Sequence, residues 1–295
     1  MKVAEAIENG EVRFLYIYNS NPLASFPNQN RLRKAIVESD VFVVLHDVFM
    51  NETAMFSHVV LPANTFFERL DIADSFYHHY ISLNQPVTRL WGKSNSEVIR
   101  EVSMRLGLKE AALFESDESV VRNVLRMNGL DYEELMKKGF LKIKRRDDVY
   151  ETESGKIEFL STRAMRRGLK GFPEALRIER RGLRLLTPTW KFSIISQYRE
   201  VHEIEDRNVY INPDDAKERN LKDGDAVEVF NENGSLERFV MTSEDIPRGV
   251  AVIYKSFPLK IEEKNLNFLT SDKVNTHYGN ASAFNSSYVE IRRIS

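Results

Sequence analysis

Two places in the sequence hold polar residues where a chain of alternating strands and helices would expose them. Asn21-Pro22 follows the apolar run Phe14–Tyr18, and Asp47 follows the run Val41–Leu45, with Asn51-Glu52-Thr53-Ala54 just beyond it. Open parallel sheets bind ligands beyond the carboxyl ends of their strands. An aspartate at such an end can accept paired hydrogen bonds from a ribose or from the donor edge of a base. A helix starting near Asn51 would aim free backbone N–H groups at an anion such as a phosphate. On position alone the plainer account is favoured, a turn asparagine and a helix cap.

Other chemistries are excluded or unsupported. The six histidines (His46, His58, His78, His79, His202 and His277) form no HExxH or His-x₃-His pattern. His78 and His79, read as strand neighbours, point to opposite faces and cannot chelate together. There is no GxSxG elbow, no GxGxxG and no GxxxxGK[ST]. The chain has no cysteine, which removes disulfides, thiolate zinc, cysteine-held iron–sulphur clusters and thiol nucleophiles. A formal net charge of −2 gives no global field to attract nucleic acid or an acidic membrane. The basic run Lys142–Arg146 is followed by Asp147-Asp148 and reads as a solvated face. No apolar run approaches the roughly 18 residues that span a bilayer. Met1–Gly10 carries Lys2, Glu5 and Glu8 instead of the long apolar core of a secretory signal. A cytoplasmic location is the default expectation.

The elements that would position these residues are legible. Val3, Ala6 and Ile7 share one helical face, with Gly10 as a stop, and Leu32, Ala35 and Ile36 share another. FLYIY (Phe14–Tyr18), VFVVL (Val41–Leu45) and Val59–Leu61 read as strands, the first covered on both sides. Strand, helix and strand at this spacing make a βαβ unit in a mostly parallel sheet. Ser96 is a candidate cap for a helix carrying Val98, Val102 and Leu106. Helices are also expected at Glu118–Met127 and Tyr132–Lys138. Arg145–Glu158 reads as exposed loop and hairpin, and Gly168–Arg181, with Pro173, as a linker. After Gly182 come short strands around Leu183–Leu186, Val209–Ile211, Ala226–Phe230, Arg238–Met241, Val250–Tyr254 and Val289–Ile291. Asn233-Gly234 is the expected hairpin turn, Gly224 a left-handed turn before a strand, and Pro213–Arg219 a helix. Such a texture indicates a small β-barrel. The expected organisation is an α/β domain over 1–110, a helical and loop connection over 111–182, and a barrel over 183–295.

Taken together, the motifs are more specific than a generic fold. Tyr16–Ile36 (YIYNSNPLASFPNQNRLRKAI) and Asp40–Glu68 (DVFVVLHDVFMNETAMFSHVVLPANTFFE) resemble the later catalytic-subunit segment of molybdopterin-guanine-dinucleotide oxidoreductases. This is the family of dimethyl sulphoxide reductase, formate dehydrogenase, nitrate reductase and thiosulphate reductase. Thr152–Phe159 (TESGKIEF), Leu185–Pro188 (LLTP), Ser196–Tyr198 (SQY), Ile211–Gly234 and Asn267–Asp272 (NFLTSD) resemble its downstream motifs in order. The resemblance covers essentially the whole chain and implies a six-stranded double-psi barrel for its last part. It implies that Asn21, Pro22, Asp47, Glu52 and Thr53 lie at the phosphates and nucleoside of a molybdopterin guanine dinucleotide. It places Thr187, Ser196, Gln197 and Asn267 on the pterin-facing side of the barrel. Uncharged amides and hydroxyls suit a pterin, which alternates donors and acceptors.

The sequence departs from the family between Leu186 and Ser196, where related proteins often carry an Arg and a His. Here Trp190 and Ile194-Ile195 stand instead. The family's N-terminal half, source of the cluster cysteines and of the molybdenum or tungsten ligand, has no counterpart in these residues. The resemblance therefore implies the cofactor-binding portion of a molybdenum or tungsten oxidoreductase, completed by a second polypeptide carrying that ligand and an iron–sulphur cluster. The alternatives are a non-catalytic cofactor-holding subunit of a redox complex and a truncated product. No catalytic residue is assigned. In each case the half-built α/β domain should expose apolar surface and tend to self-associate.

Overall fold

A computed structural model of the chain describes residues 2–143, 150–172, 181–275 and 281–294. Most of the basic run (Lys144–Arg146), Asp147-Asp148, Pro173, Arg180 and His277 lie outside the described residues. Helix α1 (Lys2–Glu8), β1 (Phe14–Tyr18), α2 (Pro22–Ser25), α3 (Gln29–Val37), β2 (Phe42–Asp47) and β3 (Val59–Pro62) form the first unit. Its strands pair in parallel in the order β1-β2-β3, with Tyr18 opposite His46 and His46 opposite Leu61. Ile7 of α1 and Leu32 and Ile36 of α3 pack against Ile17, Val43 and Leu45 of the sheet.

Because strand side chains alternate, β1 and β2 turn Phe14, Tyr16, Tyr18, Phe42, Val44 and His46 to the opposite face. Phe14 and Phe42 stack there with ring centroids 6.2 Å apart, yet are 61% and 44% exposed. The expectation that FLYIY is covered on both sides therefore fails among the described residues. The helices bury one face and leave an aromatic strip on the other.

The next unit contains β4 (Asp71–Ala73), β5 (Tyr80–Asn84), α4 (Asn95–Arg105), α5 (Asp117–Met127), α6 (Tyr132–Lys138), β6 (Phe140–Lys142) and α7 (Thr162–Arg166). β4, β5 and β6 make an antiparallel sheet, and Ile81 and Leu141 pack with Leu125 and Leu135 from α5 and α6. Strand β5 thus pairs with β6 across residue 110. His78 and His79 sit in the loop between β4 and β5, not in a strand. The cap of α4 is Ser94, not Ser96. Ser94 Oγ accepts from the Glu97 N–H at 3.2 Å, and Glu97 Oε2 accepts from the Ser94 N–H at 2.7 Å. The Ser-x-x-Glu spacing that makes this capping box was available in the sequence.

The last unit runs through β7 (Leu183–Leu186), α8 (Arg199–His202), β8 (Asn208–Ile211), α9 (Pro213–Glu218), β9 (Ala226–Asn231), β10 (Gly234–Thr242), β11 (Val250–Val252), β12 (Val274–Asn275), β13 (Ala281–Ser282) and β14 (Tyr288–Arg293). Six of these strands close into a barrel in the order β10-β8-β11-β7-β14-β9. Alternate residues point inward, so Leu183, Leu185, Val209, Val229, Val240 and Val289 fill its core. Gly224 has the expected positive φ, +81°. The hairpin differs by one residue from the expected Asn233-Gly234. Glu232 and Asn233 make the turn, and Gly234 opens β10. A Cβ at Gly234 would lie 2.4 Å from Asn30 Nδ2 of the first unit and 3.1 Å from the Phe268 carbonyl, so a larger residue there would displace the Asn30 side chain. Among the described residues no helix is long and apolar enough to cross a membrane.

Candidate functional site

The first unit and the barrel meet at the carboxyl ends of β1 and β2. Asn19, at φ +51°, turns the chain out of β1 toward Asn21, and the buried Pro22 opens α2 at a position where its missing N–H costs nothing. Asn21 makes no side-chain cap on that helix. Its Oδ1 instead accepts from Thr53 Oγ1–H at 2.7 Å and from the Thr53 N–H at 3.3 Å. Its Nδ2 donates to Glu52 Oε2 at 2.7 Å and to Ser196 Oγ of the barrel at 3.3 Å. Thr53 Oγ1 also accepts from the Leu23 N–H at 3.2 Å. One amide therefore ties together β1, the loop after β2 and the barrel.

Asp47 ends β2. Its Oδ1 accepts from the Phe49 N–H at 3.1 Å and its Oδ2 from Asn51 Nδ2 at 3.0 Å. The helix expected from Asn51 is only a single 3₁₀ turn, Ala54–Phe56. Asn51 Oδ1 accepts from the N–H groups of Thr53 and Ala54 at 3.0 and 3.2 Å. The donors expected to face an anion are therefore taken by the chain itself. Asp47 keeps a half-buried carboxylate with lone pairs to spare.

The strongest link across the junction involves Arg199, which the sequence reading did not single out. Arg199 Nη1 donates to Glu52 Oε1 at 2.5 Å and Nη2 to Oε2 at 3.2 Å, and Nη1 also reaches the Pro258 carbonyl at 3.1 Å. The two side chains are only 4% and 7% exposed. Arg33 lies nearby, its guanidinium 4.6 Å from the Phe56 ring centroid and 5.4 Å from that of Phe268. Burial lowers the Arg33 pKa, and the Glu52 carboxylate opposes that shift.

On the barrel side, Thr187 and Trp190 follow β7. Thr187 Oγ1 and Trp190 Nε1 are buried without a hydrogen-bond partner among the described residues. Trp190 packs against Phe192 and Tyr254, with ring centroids 5.7 and 5.4 Å apart. The Ile194–Gln197 turn closes with reciprocal backbone hydrogen bonds of 3.2 and 3.0 Å. It holds Ile195 at φ +53°, a costly conformation for a β-branched side chain. That turn presents Ser196 to Asn21 and leaves Gln197 exposed. Asn267 is used differently from the others. Its Nδ2 donates to the Ala24 carbonyl at 2.8 Å and its Oδ1 accepts from Thr270 Oγ1–H at 2.9 Å, so its side chain bridges barrel and α2.

The structure thus gathers Asn21, Glu52, Thr53 and Ser196 into one network and sets Asp47 beside it through Asn51. Asn64, after β3, was also missed; its Oδ1 is buried and unpartnered among the described residues. Its Leu-Pro-Ala-Asn setting at a third strand end was the available signal. A dinucleotide cofactor fits this donor set. Among the described residues Thr187 Oγ1, Trp190 Nε1 and Asn64 Oδ1 keep unspent hydrogen-bonding capacity, as groups awaiting a polar ligand would. Among the described residues no three His, Cys, Asp or Glu side chains converge as a metal site.

Comparison with known proteins agrees with both lobes. Residues 1–105 match the family model for molybdopterin oxidoreductase, and residues 183–287 match that for the molydopterin dinucleotide binding domain. The chain is 32% identical to the probable oxidoreductase YoaE of Bacillus subtilis, over 96% of this chain and 44% of that protein. It is 27% identical to the F420-dependent formate dehydrogenase subunit alpha of Methanocaldococcus jannaschii, over 90% of this chain and 41% of that one. The chain thus spans less than half the length of these relatives. Acetylene hydratase from Pelobacter acetylenicus shares the fold with a TM-score of 0.80 at 19% identity, over 99% of this chain and 46% of that one. A chain whose α/β lobe and barrel each match a model of the same enzymes belongs to the molybdopterin oxidoreductase family.

Proposed function

We propose that the chain is the C-terminal, molybdopterin-guanine-dinucleotide-binding portion of a molybdenum or tungsten oxidoreductase, completed by a second polypeptide with the metal ligand and iron–sulphur cluster. The observation that carries this reading is that Thr187 Oγ1 and Trp190 Nε1, after β7, and Asn64 Oδ1, after β3, are buried with no hydrogen-bond partner among the described residues. In this reading Thr187 and Trp190 hold a pterin edge, and Gln197 offers an amide from the exposed side of the turn. Asp47 accepts from donor groups of the nucleoside. Asn21, Glu52, Thr53 and Arg199 do not touch the ligand but fix the spacing of the two lobes that do. Pro22 sets the start of α2, and Asn267 locks that helix to the barrel. When bound, the cofactor supplies the metal centre at which electron pairs are exchanged with substrate.

The exposed rings of Phe14, Phe42 and Tyr18, on a sheet face where Val44 and His46 are buried, support the second polypeptide as a cover for that strip, since parallel sheets are ordinarily covered on both faces. Co-purification tests this. The chain expressed with its genomic neighbours should bring down a cysteine-rich partner together with pterin and molybdenum or tungsten. Recovery of the chain alone, without pterin, would sink the reading.

A second reading rests on Trp190, whose packing with Phe192 and Tyr254 fills with aromatic rings a stretch where the resemblance leads one to expect an Arg and a His. It makes the chain a non-catalytic holder of the cofactor. Stoichiometric metal and pterin in an active assembly would argue against it.

A further inference from the structure

Arg238 is out of place in its row. Strand β10 turns Leu236, Arg238 and Val240 to the same side, and Leu236 and Val240 belong to the barrel core. Arg238 is only 7% exposed. Its Nη1 donates to the backbone carbonyl of Glu237 at 2.7 Å, while its Nε is buried with no partner among the described residues. Arg199, comparably buried, has a bidentate carboxylate. Nothing among the described residues does the same for Arg238.

The acids around it are committed elsewhere. Glu205 and Glu263 pair with Arg207 at 2.9 and 2.6 Å. Asp206 accepts from the Asn208 N–H at 2.9 Å and from Tyr210 Oη–H at 3.2 Å. Burial lowers the Arg238 pKa, and Arg207 adds to that, against the attraction of Glu205, Asp206 and Glu263. A desolvated cation without a bonded anion is expensive unless something brings the anion.

Arg238 also lines a cleft of about 760 Å³, inside the size range of small-molecule sites. Lys264 on its rim is exposed and makes no ion pair within 4 Å among the described residues; it lies over the Phe268 ring, and its charge also favours the Glu228 carboxylate, which Arg292 already pairs. Glu237 and Glu262 at the mouth oppose an anion, but they are exposed and screened by water and salt, whereas the guanidinium is not. None of these residues belongs to the Asn21–Arg199 junction.

We propose that this cleft is a second ligand site, in which Arg238 and Lys264 take the oxyanion, phosphoryl or carboxylate, of a small molecule. Arg238 supplies the desolvated hydrogen-bond donors, and Lys264 supplies long-range attraction at the entrance.

The test is calorimetric titration of the 295-residue chain with inorganic phosphate and, separately, with succinate, at ionic strength held constant by chloride. Binding is expected, and Arg238→Met should weaken it by at least about tenfold. Because that substitution lies in the barrel wall, Lys264→Ala is the second variant. It should weaken binding several-fold while leaving the melting temperature of the free chain unchanged. A response to phosphate alone assigns a phosphoryl ligand, a response to succinate alone a carboxylate, and a response to both the oxyanion in general. The proposal is overturned if neither anion binds, or if both variants bind as the unsubstituted chain does. Cofactor content is not part of the readout, so failure here leaves the proposed dinucleotide function standing, and the reverse also holds.

Discussion

Glu52 and Arg199, separated by 147 positions in the chain, form a two-pronged ion pair buried at the seam between the α/β lobe and the barrel. Breaking one side of such a pair strands a buried charge, at a cost of about 3–5 kcal/mol. Glu52→Gln and Arg199→Met should each lower the urea midpoint accordingly, and the double variant should cost clearly less than the sum. Additive losses in that double-mutant cycle would show that the pair is not coupled.

Thr187 has the opposite profile, a buried hydroxyl with no hydrogen-bond partner among the described residues. Thr187→Val should leave the free chain equally stable or slightly more so, because it deletes an unsatisfied polar group. The same change should reduce pterin retained by the assembled complex. Equal pterin content in the two proteins would remove Thr187 from the cofactor site.

The sequence made Asn21, Asp47 and Thr53 visible because apolar runs mark where strands end, and a strand end fixes the residue that follows it. It could not show Arg199, since pairing with Glu52 depends on how two lobes dock and leaves no periodic trace. The bare side of β1 was equally hidden. FLYIY is apolar throughout, and such a run carries no record of which face the helices cover. Gly234 was read as a turn residue because Asn-Gly is a strong hairpin signal; it opens β10 instead, where Asn30 of the other lobe approaches it.

Ile195 holds a left-handed backbone that its branched side chain disfavours, and the residue is 43% exposed. Replacing it with Gly should relieve strain of about 1–3 kcal/mol, partly offset by about 0.5–1 kcal/mol of added freedom in the unfolded chain. The net expectation is a modest rise in melting temperature. A fall would mean that the Ile195 side chain makes contacts outweighing its backbone strain.

Glu8, Arg31 and Asp272 link α1, α3 and the barrel in one charge cluster. The hydrogen bond from Arg31 holds the Glu8 pKa below the ordinary glutamate value of 4.5. The folded state therefore binds that proton less readily than the unfolded chain. The resulting stability is present at pH values above 4.5 and disappears as the pH falls through the lowered value. Glu8 is partly exposed, so the effect is small and weakened by salt. Unfolding midpoints followed from pH 6 to 3 should fall less steeply for Glu8→Gln than for the unsubstituted chain. Parallel curves would exclude a contribution from this pair.

Phe14, Tyr18 and Phe42 present their rings on a sheet face that the described helices leave uncovered. Apolar surface of this kind drives association, because burying it releases about 25 cal/mol per Å². The isolated chain should therefore self-associate at high concentration and bind a hydrophobic dye. Phe14→Ser together with Phe42→Ser should shift it toward monomer and reduce dye binding, with little effect on the barrel core beyond the junction. The double variant should also lose the co-purifying polypeptide if that partner covers the same face. A chain that is monomeric and dye-silent before any substitution would show that this strip is too small or too polar at its margins to act as an interface.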